Sequence, residues 1–233
     1  MNILVIAAHP DDEVLGCGGT IARLAAEGAR VSILILANGL TSREDFDTTR
    51  QIELLNIHHE RARRAAALLG ATEVSFGSFP DQKMDTVPLL HITQAIEREI
   101  SRVRPHTIFT QHGGDLNMDH VITYRATLTA TRPMQGRCVN RVLSYEVASS
   151  TEWSFQKFEP GFRPTVFFDI NGYLDLKVAA MKIYESEMQP FPHPRSAEAL
   201  RAGAMRWGSA AGMLAAEAFE LVREVNDLSP ILP

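Results

Sequence analysis

Cysteine is nearly missing from this chain of 233 residues: only Cys17 and Cys138 are present. Two thiols exclude a disulfide framework and fit a reducing, cytoplasmic setting. Basic residues are not in excess either. Lys and Arg number 23 against 28 Asp and Glu, for a net charge of -5, which argues against nucleic acid as the main partner. No apolar run approaches the ~20 residues of a membrane span. The apolar N-terminal run is short, has no basic leader and runs into Asp11 and Asp12, so it does not read as a signal peptide. Internal repeats, low-complexity stretches and linkers are also lacking, which leaves residues 1–233 as a single domain.

What is present is an alternation of apolar runs and helical patterns. Strands are predicted over residues 2–8, Arg30–Ala37, Glu73–Phe76, Thr107–Thr110, Arg141–Glu146 and Pro164–Ile170. Helices are predicted over Thr20–Glu27, Gln51–Leu69, Val87–Val103, Met118–Ala130, Asn171–Glu187 and Ala197–Glu224, and a glycine turn over Gly16–Thr20. The alternation implies an α/β fold of Rossmann-like, doubly wound type. Its mostly parallel sheet is flanked by helices, and its site lies at the carboxyl ends of the strands.

Polar residues crowd two of those strand ends. Ile3-Leu4-Val5-Ile6-Ala7 is apolar throughout and reads as a strand buried on both faces. It runs directly into Ala8-His9-Pro10-Asp11-Asp12-Glu13. Several buried acids need a cation or a proton to offset them, and His with carboxylate suits zinc or a similar divalent ion. Thr107-Ile108-Phe109-Thr110 runs in the same way into Gln111-His112-Gly113-Gly114-Asp115-Leu116-Asn117-Met118-Asp119-His120. A dinucleotide site is disfavoured, because G-C-G-G-T is not G-x-G-x-x-G and the acids would repel a pyrophosphate. Cys17 reads as a packing residue. His58 and His59 are adjacent on a helix, face ~100° apart and read as surface or packing residues rather than a ligand pair.

The pair AHPDDE and HGGDLNMDH, with Gly16-Cys17-Gly18-Gly19-Thr20 and Phe79-Pro80-Asp81 between them, resembles the LmbE-like, or PIG-L, family of zinc-dependent N-acetylglucosamine deacetylases over roughly the first half of the chain. The resemblance implies His9, Asp12 and His120 as metal ligands, with Zn2+ or Fe2+ as the ion. It implies Asp11 as general base and Asp81 as the acceptor of sugar hydroxyls. Glu13 is expected to support the site or cap a helix. Asp119 is expected behind the catalytic groups, since in the family it orients a His that helps stabilise the oxyanion. That His is Asn117 here. Asn117 can donate a hydrogen bond but carries no charge, so His193 and Arg195 of the rigid Gln189–Ser196 loop are candidates for the missing cation, with His112 as the alternative. Arg43 and Arg195 are candidate substrate contacts. The loop Ser149-Ser150-Thr151-Glu152-Trp153 suits a sugar-contacting wall.

The expectation is thus a hydrolase that removes acetyl from an N-acetylated amino sugar, cytoplasmic, and by resemblance a homo-oligomer such as a hexamer. The alternatives are an amidase for a larger N-acyl sugar conjugate and a non-hydrolytic sugar- or nucleotide-binding relative.

Overall fold

The computed structural model describes residues 1–39, 48–134 and 139–226. The predicted loop with Thr41, Ser42 and Arg43, and likewise Cys138, falls outside them. In chain order the elements are β1 (Asn2–Ala7), α1 (Asp12–Ala26), β2 (Arg30–Ala37), α2 (Thr48–Leu68), β3 (Glu73–Phe79), α3 (Leu89–Val103), β4 (Thr107–Gln111), α4 (Met118–Ala130), β5 (Arg141–Tyr145), β6 (Val166–Asp169), α5 (Leu174–Met181), α6 (Ala197–Ala211) and β7 (Ala216–Glu224).

The seven strands form one sheet in the order β3-β2-β1-β4-β5-β7-β6. The first five run parallel, and β7 lies antiparallel between β5 and β6. The chain winds outward from β1 through β2 to β3, then returns to the other side of β1 as β4. The carboxyl ends of β1 and β4 therefore flank the point where the winding reverses, which is where open α/β sheets leave a crevice. The two polar motifs leave the sheet at those two ends.

Strand β1 is central because both of its faces are apolar. Ile3, Val5 and Ala7 join one core cluster with α1, α2 and β2; Leu4, Ile6 and Ala8 join the other with α3 and α4. Each fully buried aliphatic side chain of this kind stabilises by roughly 1.5–3 kcal/mol.

Three expectations need correction. The stretch Gly16–Thr20 is not a turn before a helix: α1 begins at Asp12 and runs straight through it. A Cβ at Gly16 would collide with the Tyr145 ring, and one at Gly19 would come 2.8 Å from Ile170. Close packing of helix on sheet thus overrides the low helix propensity of glycine. The predicted Ala197–Glu224 helix is in fact α6 followed by β7. Gly212 adopts a left-handed conformation, φ 73°, and caps α6. The following Ala-Glu-Ala-Phe-Glu-Leu-Val-Arg-Glu is rich in helix formers, yet it pairs with β5 and β6 and buries Phe219. The predicted Asn171–Glu187 helix is also shorter, ending as α5 at Met181 and continuing in turns.

Candidate metal centre and catalytic cleft

β1 delivers His9 past its end, and α1 opens with Asp12 in its first turn. β4 ends at Gln111, and α4 carries His120 in its first turn, capped by Asn117, whose side chain accepts from the Asp119 amide. Because β1 and β4 are hydrogen-bonded neighbours, these turns meet.

Three donor atoms converge. His9 Nδ1 lies 3.3 Å from His120 Nε2, and Asp12 Oδ2 lies 3.4 Å from each of them. Ligands on a tetrahedral zinc at about 2.0–2.1 Å are separated by about 3.3–3.4 Å, so the triangle has the edge that such an ion demands. The far nitrogen of each ring faces a carboxylate: His9 Nε2 is 3.0 Å from Asp119 Oδ2, and His120 Nδ1 is 3.2 Å from Asp115 Oδ1. That arrangement fixes which nitrogen points inward and is the usual setting of metal-bound histidine. Asp12 Oδ2 also accepts from the His9 amide at 2.8 Å and from Gln111 Nε2 at 2.6 Å. Asp115 in turn accepts from Ser150 Oγ and from Thr151 Oγ1. The residues present therefore fit a divalent ion.

The electrostatics agree. Burial works against the charged imidazole of His9, but Asp119, Asp12 and Asp81 more than offset it and lift its pKa well above the usual range. Burial likewise opposes the charge on His120, whose pKa Asp12 and Asp115 raise to about 9. Burial would raise Asp12, yet His120 and His9 hold it well below the ordinary carboxylate range. The cluster attracts positive charge, supplied by protons or by a metal that displaces them.

Asp11 stands beside the triangle without joining it. Its Oδ2 accepts from Arg195 Nη1 at 2.7 Å, and the same nitrogen reaches Glu187 at 2.9 Å while Arg195 Nε donates to Ser149 Oγ. Burial pushes the Asp11 carboxyl well up, Arg195 opposes this, and Asp12, Glu187 and Glu13 add to it. Glu13 supports Asp11 directly: its Oε2 accepts from the Asp11 amide at 3.1 Å, and its Oε1 accepts from Tyr184 at 2.6 Å. Burial lifts Glu13 to about 7, with the Tyr184 hydroxyl opposing.

A cleft of about 510 Å³ opens over the triangle, within the usual size of small-molecule sites. Its wall includes Asp81, Gln82, Asn117, Ser149, Ser150 and Trp153. Asp81 Oδ1 lies 3.3 Å from His9 Nε2. The Asn117 amide donates to Gln82 at 3.2 Å. His58, expected on the surface or in packing, also lines the cleft, while His59 stacks on Phe76.

Two candidates for the missing cation are placed elsewhere. His193 is not among the residues lining the cleft; its Nδ1 accepts from the Arg195 amide and its ring meets Trp153 edge-on. It serves the turn that presents Arg195. His112 is buried behind the β4 motif, with Nε2 2.7 Å from Pro160 O and Nδ1 facing Glu220. Arg195 does reach the cleft, but its guanidinium is engaged by Asp11 and Glu187. Gln111 and Asp115 had no role assigned from sequence, although both lie inside the second motif. Tyr184 and Glu187 carry no sequence signal, since they sit in what reads as an ordinary helix.

The whole arrangement can be set against known proteins. Residues 4–131 match the model of the PIG-L family, described as GlcNAc-PI de-N-acetylase. An uncharacterized deacetylase, YaiS, of Escherichia coli (strain K12) is 29% identical over 191 residues, covering 79% of this chain and 91% of that protein. Diacetylchitobiose deacetylase of Thermococcus kodakarensis is 26% identical over 240 residues, covering 95% of this chain and 83% of that protein. Among solved structures, GalB, the 4-carboxy-2-hydroxymuconate hydratase from Pseudomonas putida KT2440, superposes with a TM-score of 0.75 at 23% identity, over 98% of this chain and 100% of that one. One fold thus carries a deacetylase and a hydratase, so the reaction has to be argued from the site.

Proposed function

The chain belongs to the PIG-L family, and from that premise we propose that it is a zinc-dependent hydrolase that removes the N-acetyl group from an N-acetylated amino sugar. The observation that carries the proposal is the triangle of His9, Asp12 and His120 with an unligated carboxylate, Asp11, beside it. Metal binding alone has no need of that spare acid.

His9, Asp12 and His120 would hold the ion, and Fe2+ suits the same donors. The chemistry such an ion supplies is an acidified water and a polarised amide carbonyl. Asp11 takes a proton from the attacking water and delivers it to the departing nitrogen. A C–O bond forms as the C–N bond breaks, giving acetate and the free amine. Arg195 occupies one oxygen of Asp11 and leaves the other to the proton. The Asn117 amide is the neutral donor at the cleft for the developing oxyanion. Asp81 accepts hydroxyls of the sugar, Trp153 with Ser149 and Ser150 forms the wall it lies against, and Arg43 is a further contact from the segment not described.

The acetyl sugar is favoured over a larger N-acyl group by the relatives, one of which acts on diacetylchitobiose. Among the described residues no helix is long and apolar enough to cross a membrane. The scarcity of cysteine supports a cytoplasmic setting, and the family resemblance adds a homo-oligomer, with a hexamer as the specific expectation.

The direct test is release of acetate and amine from N,N′-diacetylchitobiose and N-acetylglucosamine. Turnover should vanish on chelation and return with zinc. A zinc-loaded protein that releases acetate from no N-acetylated sugar in a panel, yet hydrates an unsaturated acid, would overturn the proposal.

A further inference from the structure

Asp11 holds a backbone conformation that residues with a Cβ rarely adopt, φ 108° and ψ -29°. Such a conformation persists only where the surroundings over-determine it. Here it separates two neighbouring carboxylates: Asp12 faces the donor triangle and Asp11 faces Arg195. The contacts that hold Asp11 are few. Its carbonyl accepts from the amides of Val14 and Leu15 as α1 begins. Its amide donates to Glu13 Oε2 at 3.1 Å. Glu13 is almost fully buried, 1% exposed, and its other oxygen is held by the Tyr184 hydroxyl at 2.6 Å. Tyr184, in the turns after α5, is itself 1% exposed.

A buried carboxylate is costly unless it is used. Glu13 does not point at the triangle. It bonds the amide of the general base and a phenol that lies 171 residues further along the chain. Resting on the assignment of Asp11 as the base, we infer that Tyr184 is a positioning residue that acts through Glu13: it fixes the Glu13 carboxylate, which pins the Asp11 amide and so keeps the base turned away from the metal ligands and toward the reacting water. The device explains why a third acid follows the first two in Asp11-Asp12-Glu13.

The test compares Tyr184→Phe, Glu13→Ala and Glu13→Gln, each with zinc, on N,N′-diacetylchitobiose. Tyr184→Phe should lower kcat by about 10-fold, the weight of one hydrogen bond to a charged group, with KM and zinc content kept. Glu13→Ala should lose more. Glu13→Gln retains an acceptor for the Asp11 amide and a partner for the phenol, and should stay within about 3-fold of wild type, since only the charge is lost. Tyr184 also borders the cleft, so a raised KM with unchanged kcat would make it a substrate contact and overturn the inference. Loss of zinc in parallel with activity would reduce it to a structural residue and do the same. Crystal structures give a readout that needs no substrate. In Glu13→Ala the Asp11 φ should turn negative and its contact with Arg195 should open, while the His9, Asp12 and His120 triangle stays. An unmoved Asp11 overturns the inference even if the wild type proves inert on this sugar; an inert wild type with a relaxed Asp11 in the variant counts against the deacetylase proposal alone.

Discussion

The first 131 residues and the rest of the chain contribute to the cleft in different ways. The first part supplies the parallel strands β1 to β4 and every donor of the triangle. The rest supplies the antiparallel edge, β7 with β6, and the groups gathered around Asp11 and its neighbour Glu13: Ser149, Tyr184, Glu187 and Arg195. One region builds the candidate metal centre and the other surrounds the proposed base beside it. The two are stitched together at Asp115, which faces His120 on one side and takes hydroxyl hydrogens from Ser150 and Thr151 on the other. The division teaches that variants of the triangle and of the carboxylates behind it should act on metal content, and variants in the rest of the chain on turnover at constant metal.

The sharpest challenge to that division is Asp11→Asn, since Asp11 belongs to the first region by sequence and to the second by its contacts. We expect kcat to fall by roughly 10²–10⁴-fold, the contribution of a general base, with zinc retained as measured by atomic absorption. Zinc lost along with activity would place Asp11 among the ligands. Next in size is Asp115→Ala, which removes the carboxylate behind His120. Zinc affinity should drop about 10–100-fold, read by competition with a chromophoric chelator, and an unchanged affinity would break the link between the two regions. A stability probe comes third. Gly16→Ala drives a methyl into the Tyr145 ring, and overpacking of this kind costs typically about 1–3 kcal/mol. Urea unfolding should show it, and an unchanged midpoint would mean that α1 can move off β5. The smallest effect is expected for His193→Ala. With its ring outside the cleft, kcat should change by no more than about 3-fold, as for substitutions away from working contacts. A fall of 10²-fold or more would return His193 to the chemistry as the missing cation.

Legibility differed between the regions for physical reasons. β2 was predicted at its observed ends because an apolar run between charged or polar punctuation leaves little choice, and α4 was predicted at its observed ends as well. The composition of the metal triangle was implied by the two motifs and needed only the adjacency of β1 and β4. β7 was missed because Ala, Glu, Leu and Arg favour helix locally, and only pairing with β5 and β6 made a strand of them. Gly16 and Gly19 suggested a turn because their partners, Tyr145 and Ile170, lie more than a hundred residues away in the chain. His193 stood beside Asn117 and Arg195 as a candidate because a rigid proline-rich loop with two donors invites a role; its orientation follows from the hydrogen bond to the Arg195 amide.

From sequence alone came the α/β class and the two clusters of ligand-type residues at strand ends, because a strand apolar on both faces must be central and its polar end must meet a crevice. Only the tertiary structure decided which groups gather around Asp11 and Glu13. Arg195 reaches Asp11 and Tyr184 reaches Glu13 across more than 170 residues of chain, with Glu187 held on Arg195, and no local periodicity encodes contacts that exist only once α5 has packed against α1.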